Sequence, residues 1–406
     1  MKYVFFSFTI DRMAGSQRYI NNKVKWLKEQ GWDVVVFDHH GGLDIKENVV
    51  LENLKPFKDN RFYELFFPPC YFSNKKRKEL IDTICDIIGP SDDYVIESNS
   101  GRLALWGELL SQRLHAKHLL LFIDEHPKIR SDEEFRYYSF KFDRNELFFI
   151  SVRVAKNLFD GYRTINDEEA KNHVFTAIMN VQPQDVPMPE IDSFPDADYK
   201  ILSFGRHKNY FENMFKGVRE FANNHQDKRI NFIVLGVANL PENLTKMLDS
   251  CSNIYYRLLP LVQIIPKVIF EYFDVIIATA NCANISFREG AKTISMNVET
   301  CQPLGVMGYT TINSVTNNNG EENNSVLSVL LEEVLVKRRY TGDYWLQRKP
   351  SGRGYPFQLS LINNDRNYWA EINKIVQDTP LRRYAIMFVL RMFGIKYLVK
   401  IFQYLR

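Results

Sequence analysis

The chain has 406 residues and a mass of 47.8 kDa, room for two domains of ordinary size. A hydrophobic content of 45% and an aromatic content of 14% exclude a disordered chain, and 52 basic against 49 acidic side chains exclude a nucleic-acid coat or an acidic tail. The charge is unevenly spread, however. From Thr379 to Arg406 there are six basic residues (Arg382, Arg383, Arg391, Lys396, Lys400 and Arg406) and no acidic one, so the other 378 residues carry 46 basic and 49 acidic side chains.

Met1–Ile10 is apolar, but Asp11 and Arg12 follow at once with no small-residue cleavage site, so a buried strand at Tyr3–Phe8 is the reading rather than a secretory leader. A helix follows over Gln17–Gln30, with Tyr19, Ile20, Val24 and Leu27 near helical spacing, then a strand at Asp33–Phe37 after the Gly31 stop signal. A strand at Tyr94–Glu97, a helix at Leu103–Leu114 and strands at Leu119–Ile123 and Glu146–Val152 keep the rhythm of a parallel sheet flanked by helices. Residues 181–198 hold four prolines and little periodicity and read as a linker.

The rhythm then restarts. Strands are predicted at Tyr199–Gly205, Ile230–Gly236, Ile254–Leu259, Val275–Ala278 and Thr293–Val298. Helices are predicted at Lys216–Asn224, Pro241–Leu248, Ile264–Tyr272 and Ala283–Gly290, and Asn313–Asn324 is a polar loop. The fold class is α/β, with two doubly wound domains and ligands expected beyond the carboxyl ends of the strands.

Several chemistries find no support. The five cysteines show no CxxC spacing and their number is odd, which argues against a disulfide framework or a zinc knuckle and for a reducing cytoplasm. The eight histidines form no HxxxH or HExxH pattern; His39, His40, His115 and His118 read as surface residues, and Asp196-Ala-Asp198 sits in the linker as solvated charge, so no metal site is predicted. No GxSxG elbow and no GxGxxG after a strand is present. No stretch of about 20 uncharged apolar residues is long enough to span a membrane.

The order of short motifs resembles one family. Ala14-Gly15-Ser16-Gln17-Arg18 is similar to the Gly-Gly-x-Glu/Gln-Arg turn of the retaining glycosyltransferases of the GT-B fold, with Ala14 in place of the first glycine. Phe149-Ile150-Ser151-Val152, Ile178-Met179-Asn180, Ile201–Arg206, Lys216-Gly217, Asn231–Gly236 and the stretch from Tyr256 to Ile276 resemble its later motifs, over roughly residues 1–310. One departure stands out. The family has two glutamates with seven residues between them, the first at the donor sugar and the second at the ribose; Ala278 and Ser286 fall at those places.

The resemblance implies two Rossmann-like domains facing across a cleft: an acceptor domain at 1–185, a donor domain at 196–378, and a helical tail at 379–406. It implies a metal-independent, retaining, hexosyltransferase-type reaction, with no cofactor and a UDP- or GDP-linked sugar as donor. The acceptor would be a glycan or lipid-linked glycan of bacterial surface-polysaccharide assembly. A non-catalytic partner of a glycan-assembly complex, or a sugar-nucleotide epimerase of the same architecture, is the alternative.

Such a reaction needs positive charge or N–H donors at the leaving diphosphate and a group to take the acceptor proton. Arg206, Lys208 and Lys216 are the diphosphate candidates, although Arg206-His207-Lys208 also fits a solvated basic loop. Gly15 and Ser16 open a helix whose N–H groups can meet an anion, or form a plain tight turn. His126 matches the histidine that contacts the donor sugar in the family; Asp124 and Glu125 beside it are acid/base candidates or a surface pair. Leu259, Asn284, Ser286 and Glu289 fall along the donor pocket, and Gly305–Thr311 fits either a binding loop or a structural one. Glu97-Ser98-Asn99-Ser100 suits sugar hydroxyls or a helix N-cap equally.

At the C-terminal end, Asn367–Val376 carries a helical apolar stripe, and Tyr384–Phe393 and Ile395–Arg406 flank Gly394. In the second of these, Lys396, Lys400 and Gln403 share a face opposite Leu398, Ile401, Phe402 and Leu405. A basic amphipathic end of this kind fits an anionic membrane surface, at the inner face of the plasma membrane, or a helix packed on the body. No nucleic-acid partner is expected.

Overall fold

A computed structural model describes residues 1–7, 15–38, 56–58, 64–65, 67–99, 101–123, 127–175, 183–262, 264–312, 314, 325–342, 344, 355–360, 366–375 and 380–393. The chain forms two compact units. One comprises 1–180 with 351–406, the other 181–350.

The first unit runs β1 (Lys2–Ser7), α1 (Gly15–Glu29), β2 (Asp33–Asp38), β3 (Pro56–Lys58), α2 (Asn74–Ile88), β4 (Tyr94–Ser98), α3 (Gly101–Leu114), β5 (Lys117–Phe122), α4 (Asp132–Asp143), β6 (Leu147–Phe149), α5 (Val152–Phe159) and α6 (Asp167–Asn172). Its six strands are all parallel, in the order β3-β2-β1-β4-β5-β6. Every residue of β1 and β4 is buried, as expected for central strands covered on both faces. Tyr3, Phe5, Val95 and Leu119 face α1, while Val4, Phe6, Ile96 and Trp106 pack with α2 and α3 on the other side. Side-chain caps start the later helices: Ser73, Ser131, Ser151 and Asn166 each accept the N–H three residues on.

The second unit runs β7 (Tyr199–Phe204), α7 (Phe211–Asn224), β8 (Ile230–Leu235), α8 (Glu242–Thr245), β9 (Ile254–Leu259), α9 (Ile269–Tyr272), β10 (Val275–Ala278), α10 (Ala280–Arg288), β11 (Thr293–Met296), β12 (Pro303–Val306) and α11 (Leu327–Leu331), which continues as a π-helical turn to Val336. The strand order is β12-β11-β10-β7-β8-β9, parallel except for the antiparallel edge strand β12. Counted from the first strand of each sheet, both units have the same winding, and the order reverses beside β1 in one and beside β7 in the other.

Two expectations need correction. Residues 181–198 do not behave as a free linker in their described part: Met188, Ile191 and Phe194, spaced three apart, are buried in the core of the second unit against Leu202, Ile233 and Ile276. The second domain also ends earlier than 378. The segments after Pro350 pack on the first unit, as α12 (Tyr355–Ser360), the turn at Ile372–Lys374 and α13 (Pro380–Phe393). Trp369 and Ile372 join the core around Phe142, the Tyr368 hydroxyl donates to Ala116 O at 3.0 Å, and Gln112 donates to Trp369 O at 3.0 Å. The stripe at Asn367–Val376 thus docks through a short 3-10 turn rather than a full helix.

Candidate functional site

In doubly wound sheets the crevice for ligands opens where the strand order reverses, beyond the carboxyl ends. In the second unit this point lies between β7 and β10. β7 ends at Phe204 and passes into Gly205 at φ +135°, then Arg206; β8 ends at Leu235 and passes into Gly236 at φ +116°. These turns touch. A Cβ on Gly236 would stand 2.6 Å from Gly205 O, and a Cβ on Gly205 would stand 3.5 Å from Cys282 Sγ in the first turn of α10. Only glycine tolerates this approach at positive φ. Leu259 O accepts both N–H groups of the Gly236-Val237 turn, at 3.0 and 2.9 Å, and so holds the neighbouring strand end in place.

The start of α10 has no side-chain cap: Thr279 Oγ1 donates instead to Met296 O at 2.8 Å. A helix beginning without a cap leaves N–H groups that suit an anion. Arg206 is exposed and Lys208 half-buried on the loop that leaves β7 beside this point.

The other donor-side candidates are placed differently. Asn284 Nδ2 donates to Ser314 Oγ at 3.2 Å. Ser286 is fully buried and its hydroxyl donates to Cys282 O at 2.8 Å, back along its own helix. Glu289 terminates α10, at the opposite end from Ala280. Lys216 is exposed on the second turn of α7, paired with Glu212 at 2.6 Å, and borders a separate hollow of about 250 Å³ with Asn213, Glu220 and Gln302. The structure therefore brings together Gly205, Arg206, Gly236 and the start of α10, and sets Lys216 and Glu289 apart on other elements. Gly305 lies within β12, and Gly308 makes room for the rings of Phe287 and Tyr344, so this stretch serves packing.

In the first unit, Gly15 and Ser16 form the opening of α1. Asp124, Glu125, His126, His39, His40 and Ser100 lie outside the described residues. In its described part, Glu97–Asn99, the end of β4 is no open sugar subsite: it is the anchor of two buried polar networks that the sequence reading missed. In the first, Lys23 Nζ donates to Glu97 Oε2 at 2.5 Å, to Tyr3 OH at 2.7 Å, to Tyr19 OH at 3.1 Å and to Gln358 Oε1 of α12. Glu97 also accepts from Tyr3 OH, Tyr19 OH and Asn99 Nδ2. Burial pushes the Lys23 pKa down against the pull of Glu97, and pushes both tyrosines well up.

The second network corrects the placement of His118, which is buried in β5 rather than at the surface. His118 Nδ1 lies 2.7 Å from Glu108 Oε2 and its Nε2 lies 3.1 Å from Ser98 Oγ. Lys141 bridges Glu108 and Glu146 at 2.7 and 2.8 Å, Arg144 pairs with Glu146, and Glu108 Oε1 accepts the backbone N–H of Trp369. Burial raises the Glu108 carboxyl, but Lys141 and His118 outweigh it and bring its pKa down to about 2. An ionised Glu108 accepts a hydrogen bond from Nδ1–H, which leaves Nε2 as an acceptor facing Ser98 Oγ, whose single proton is also directed at Leu103 O at 3.2 Å. That is the relative order of a hydrolytic triad. It is closed to chemistry: Ser98 is 1% exposed, and a Cβ on Gly107 of α3 would stand 2.3 Å from Ser98 Oγ and 2.5 Å from His118 Nε2, leaving no room for a substrate carbonyl.

No protein-family model and no curated protein matches the sequence. Solved structures do match in shape. A glycosyltransferase from Rickettsia africae shares 16% identity at a TM-score of 0.52, over 73% of this chain and 79% of its own; TarM shares 7% at a TM-score of 0.52, over 82% and 91%. The fold is GT-B. The strand order 3-2-1-4-5-6, repeated in each unit and followed by a C-terminal return to the first, is thereby accounted for. Within this GT-B chain the two positions where the resembled family carries glutamates, Ala278 and Ser286, are both fully buried, so neither offers a side chain to a ligand.

Proposed function

We propose that the chain is a glycosyltransferase that moves a hexose-type sugar from a UDP- or GDP-linked donor to a glycan or lipid-linked glycan, in bacterial surface-polysaccharide assembly. One observation carries the reading: at the reversal point of the second sheet, Gly205, Gly236 and the uncapped start of α10 meet beside the exposed Arg206. Backbone N–H groups and a guanidinium there suit the charge that develops on a departing diphosphate. Lys208 adds a second cation on the same loop. The acceptor proton would pass to Asp124, Glu125 or His126, with Gly15 and Ser16 at the acceptor side. Retention of configuration and independence of metal belong to this proposal, as does work at the inner face of the plasma membrane through residues 379–406.

The test is a calorimetric titration of UDP, GDP and their sugars. Arg206→Ala removes a charge-assisted hydrogen bond of about 1.5–3 kcal/mol and should weaken binding about tenfold to a hundredfold. No binding by the native chain of any nucleotide sugar overturns the reading. A second reading is favoured by the buried Ala278 and Ser286: a donor-binding partner without turnover. Binding with neither transfer nor donor hydrolysis would establish it.

A further inference from the structure

The helix α13 has two apolar sides. Ile386 is buried, and with Met387, Val389 and Leu390 it packs on Phe67, Cys70, Tyr71 and Phe72 of the first unit. On the other side Tyr384, Phe388 and Met392 are 70%, 60% and 63% exposed. Their spacing of four residues aligns them in one stripe about 12 Å long.

The platform beneath α13 leads directly into a run of cations. α2 begins with Asn74-Lys75-Lys76-Arg77-Lys78, two residues past Phe72. Arg77 Nη1 donates to Phe72 O at 2.8 Å and Pro69 O at 3.2 Å, which ties the first turn of α2 to that platform. Lys75 and Lys78 are exposed, and Lys76 pairs with Glu64 at 3.1 Å. The opening turn of a helix favours acids, yet α2 has none there. Lys75 and Lys78, which have no ion pair with another described residue, leave two exposed cations available to an anionic surface. The Thr379–Arg406 stretch, with six bases and no acid, carries the same sign.

We infer that the exposed stripe of α13 and the opening of α2 form one docking face for an anionic phospholipid bilayer, with Tyr384, Phe388 and Met392 entering the acyl boundary while Lys75 and Lys78 meet headgroup phosphates. This deepens the membrane reading above and rests on it, but not on sugar transfer. Among the described residues no helix is long and apolar enough to cross a membrane, so the face lies on the bilayer. A second copy of the chain is the poorer occupant, because a two-fold pairing sets like charges against each other.

The experiment is co-sedimentation of the full chain with vesicles of phosphatidylcholine alone and of phosphatidylcholine with phosphatidylglycerol, alongside light scattering for oligomeric state. The native chain should pellet with the anionic vesicles and be released by salt. Lys75→Gln with Lys78→Gln should weaken binding about thirtyfold. Tyr384→Ser, Phe388→Ser and Met392→Ser together should weaken it about tenfold or more, and all five positions are exposed, so thermal stability should stay unchanged. No pelleting of the native chain overturns the membrane reading and this face with it. Native pelleting that the lysine pair leaves intact overturns only the face. A dimer that the triple variant dissociates, without vesicle binding, assigns the stripe to a second copy and also overturns the proposal.

Discussion

Lys23 and Glu97 meet at 2.5 Å inside the first unit, where neither side chain reaches solvent. Their partners come from four elements: Tyr3 on β1, Tyr19 on α1, Asn99 after β4 and Gln358 on α12. The rings of Tyr3, Phe5, Tyr19, Phe175 and Tyr355 surround the ammonium at 4.8–6.0 Å. The pair therefore fastens the returning C-terminal segment to the start of the chain.

Glu97→Gln keeps the shape and removes the charge, leaving a buried ammonium among neutral oxygens. Breaking one side of a buried ion pair costs about 3–5 kcal/mol. Urea unfolding should report a loss of that size. A loss below about 1 kcal/mol would mean that Lys23 is neutral or finds water.

Acid should loosen the first unit through the Glu108 network. Glu108 titrates near 4.5 when unfolded and at about 2 when folded, so its contribution is complete above pH 4.5 and disappears as pH falls toward 2. Burial, helped by Lys141, holds the His118 pKa below 6.5, so the unfolded chain takes up a proton first and stability falls as pH drops below 6.5. Both effects have the same sign. Urea unfolding across this range should show a falling stability, and His118→Gln should flatten the part just below pH 6.5. A native chain equally stable at pH 6.5 and pH 4.5 would contradict the His118 assignment, and one equally stable at pH 4.5 and pH 2.5 the Glu108 assignment.

The central strands of both sheets were legible because parallel strands covered on both faces are continuous apolar runs, as in β8 (Ile230–Leu235), whereas the short edge strands β3 and β12 were not. Helices were less so. α2 was missed although Leu80, Ile81, Ile84 and Ile88 mark one face, and α4 although Ser131 and three acids announce its start. Placing the β5 strand at Leu119–Ile123 rather than Lys117–Phe122 left His118 outside the sheet, which is why it read as a surface residue. The Arg206 strand end was visible as a local motif. The Lys23 network was not, because Gln358 lies 335 residues away and only the folded chain unites them.

Gly107 sits in the middle of α3, where alanine ordinarily gains about 1 kcal/mol. Here the added methyl meets Ser98 Oγ and His118 Nε2 at 2.3 and 2.5 Å, and Glu108 holds His118 in place. Overpacking at about 1–3 kcal/mol should win, so Gly107→Ala lowers the thermal midpoint. The same crowding predicts that a fluorophosphonate probe leaves Ser98 unlabelled in the folded protein. A stabilised variant, or labelling that Ser98→Ala removes, would show that the site opens.

Gly236→Ala tests the strand-end turn against a control in the same unit. At φ +116° alanine is strained by about 1–3 kcal/mol, and its Cβ would stand 2.6 Å from Gly205 O, a backbone atom that cannot rotate away. Gly290→Ala carries similar strain at φ +83° but meets nothing within 4 Å. Both variants should lose stability, whereas only the first displaces Gly205 and Arg206. Calorimetric titration with UDP and GDP should then show affinity falling on the order of tenfold in Gly236→Ala, the equivalent of about 1.4 kcal/mol, and unchanged in Gly290→Ala. Equal affinities in the two variants would detach the diphosphate from the Gly205–Gly236 turn and move the candidate site elsewhere.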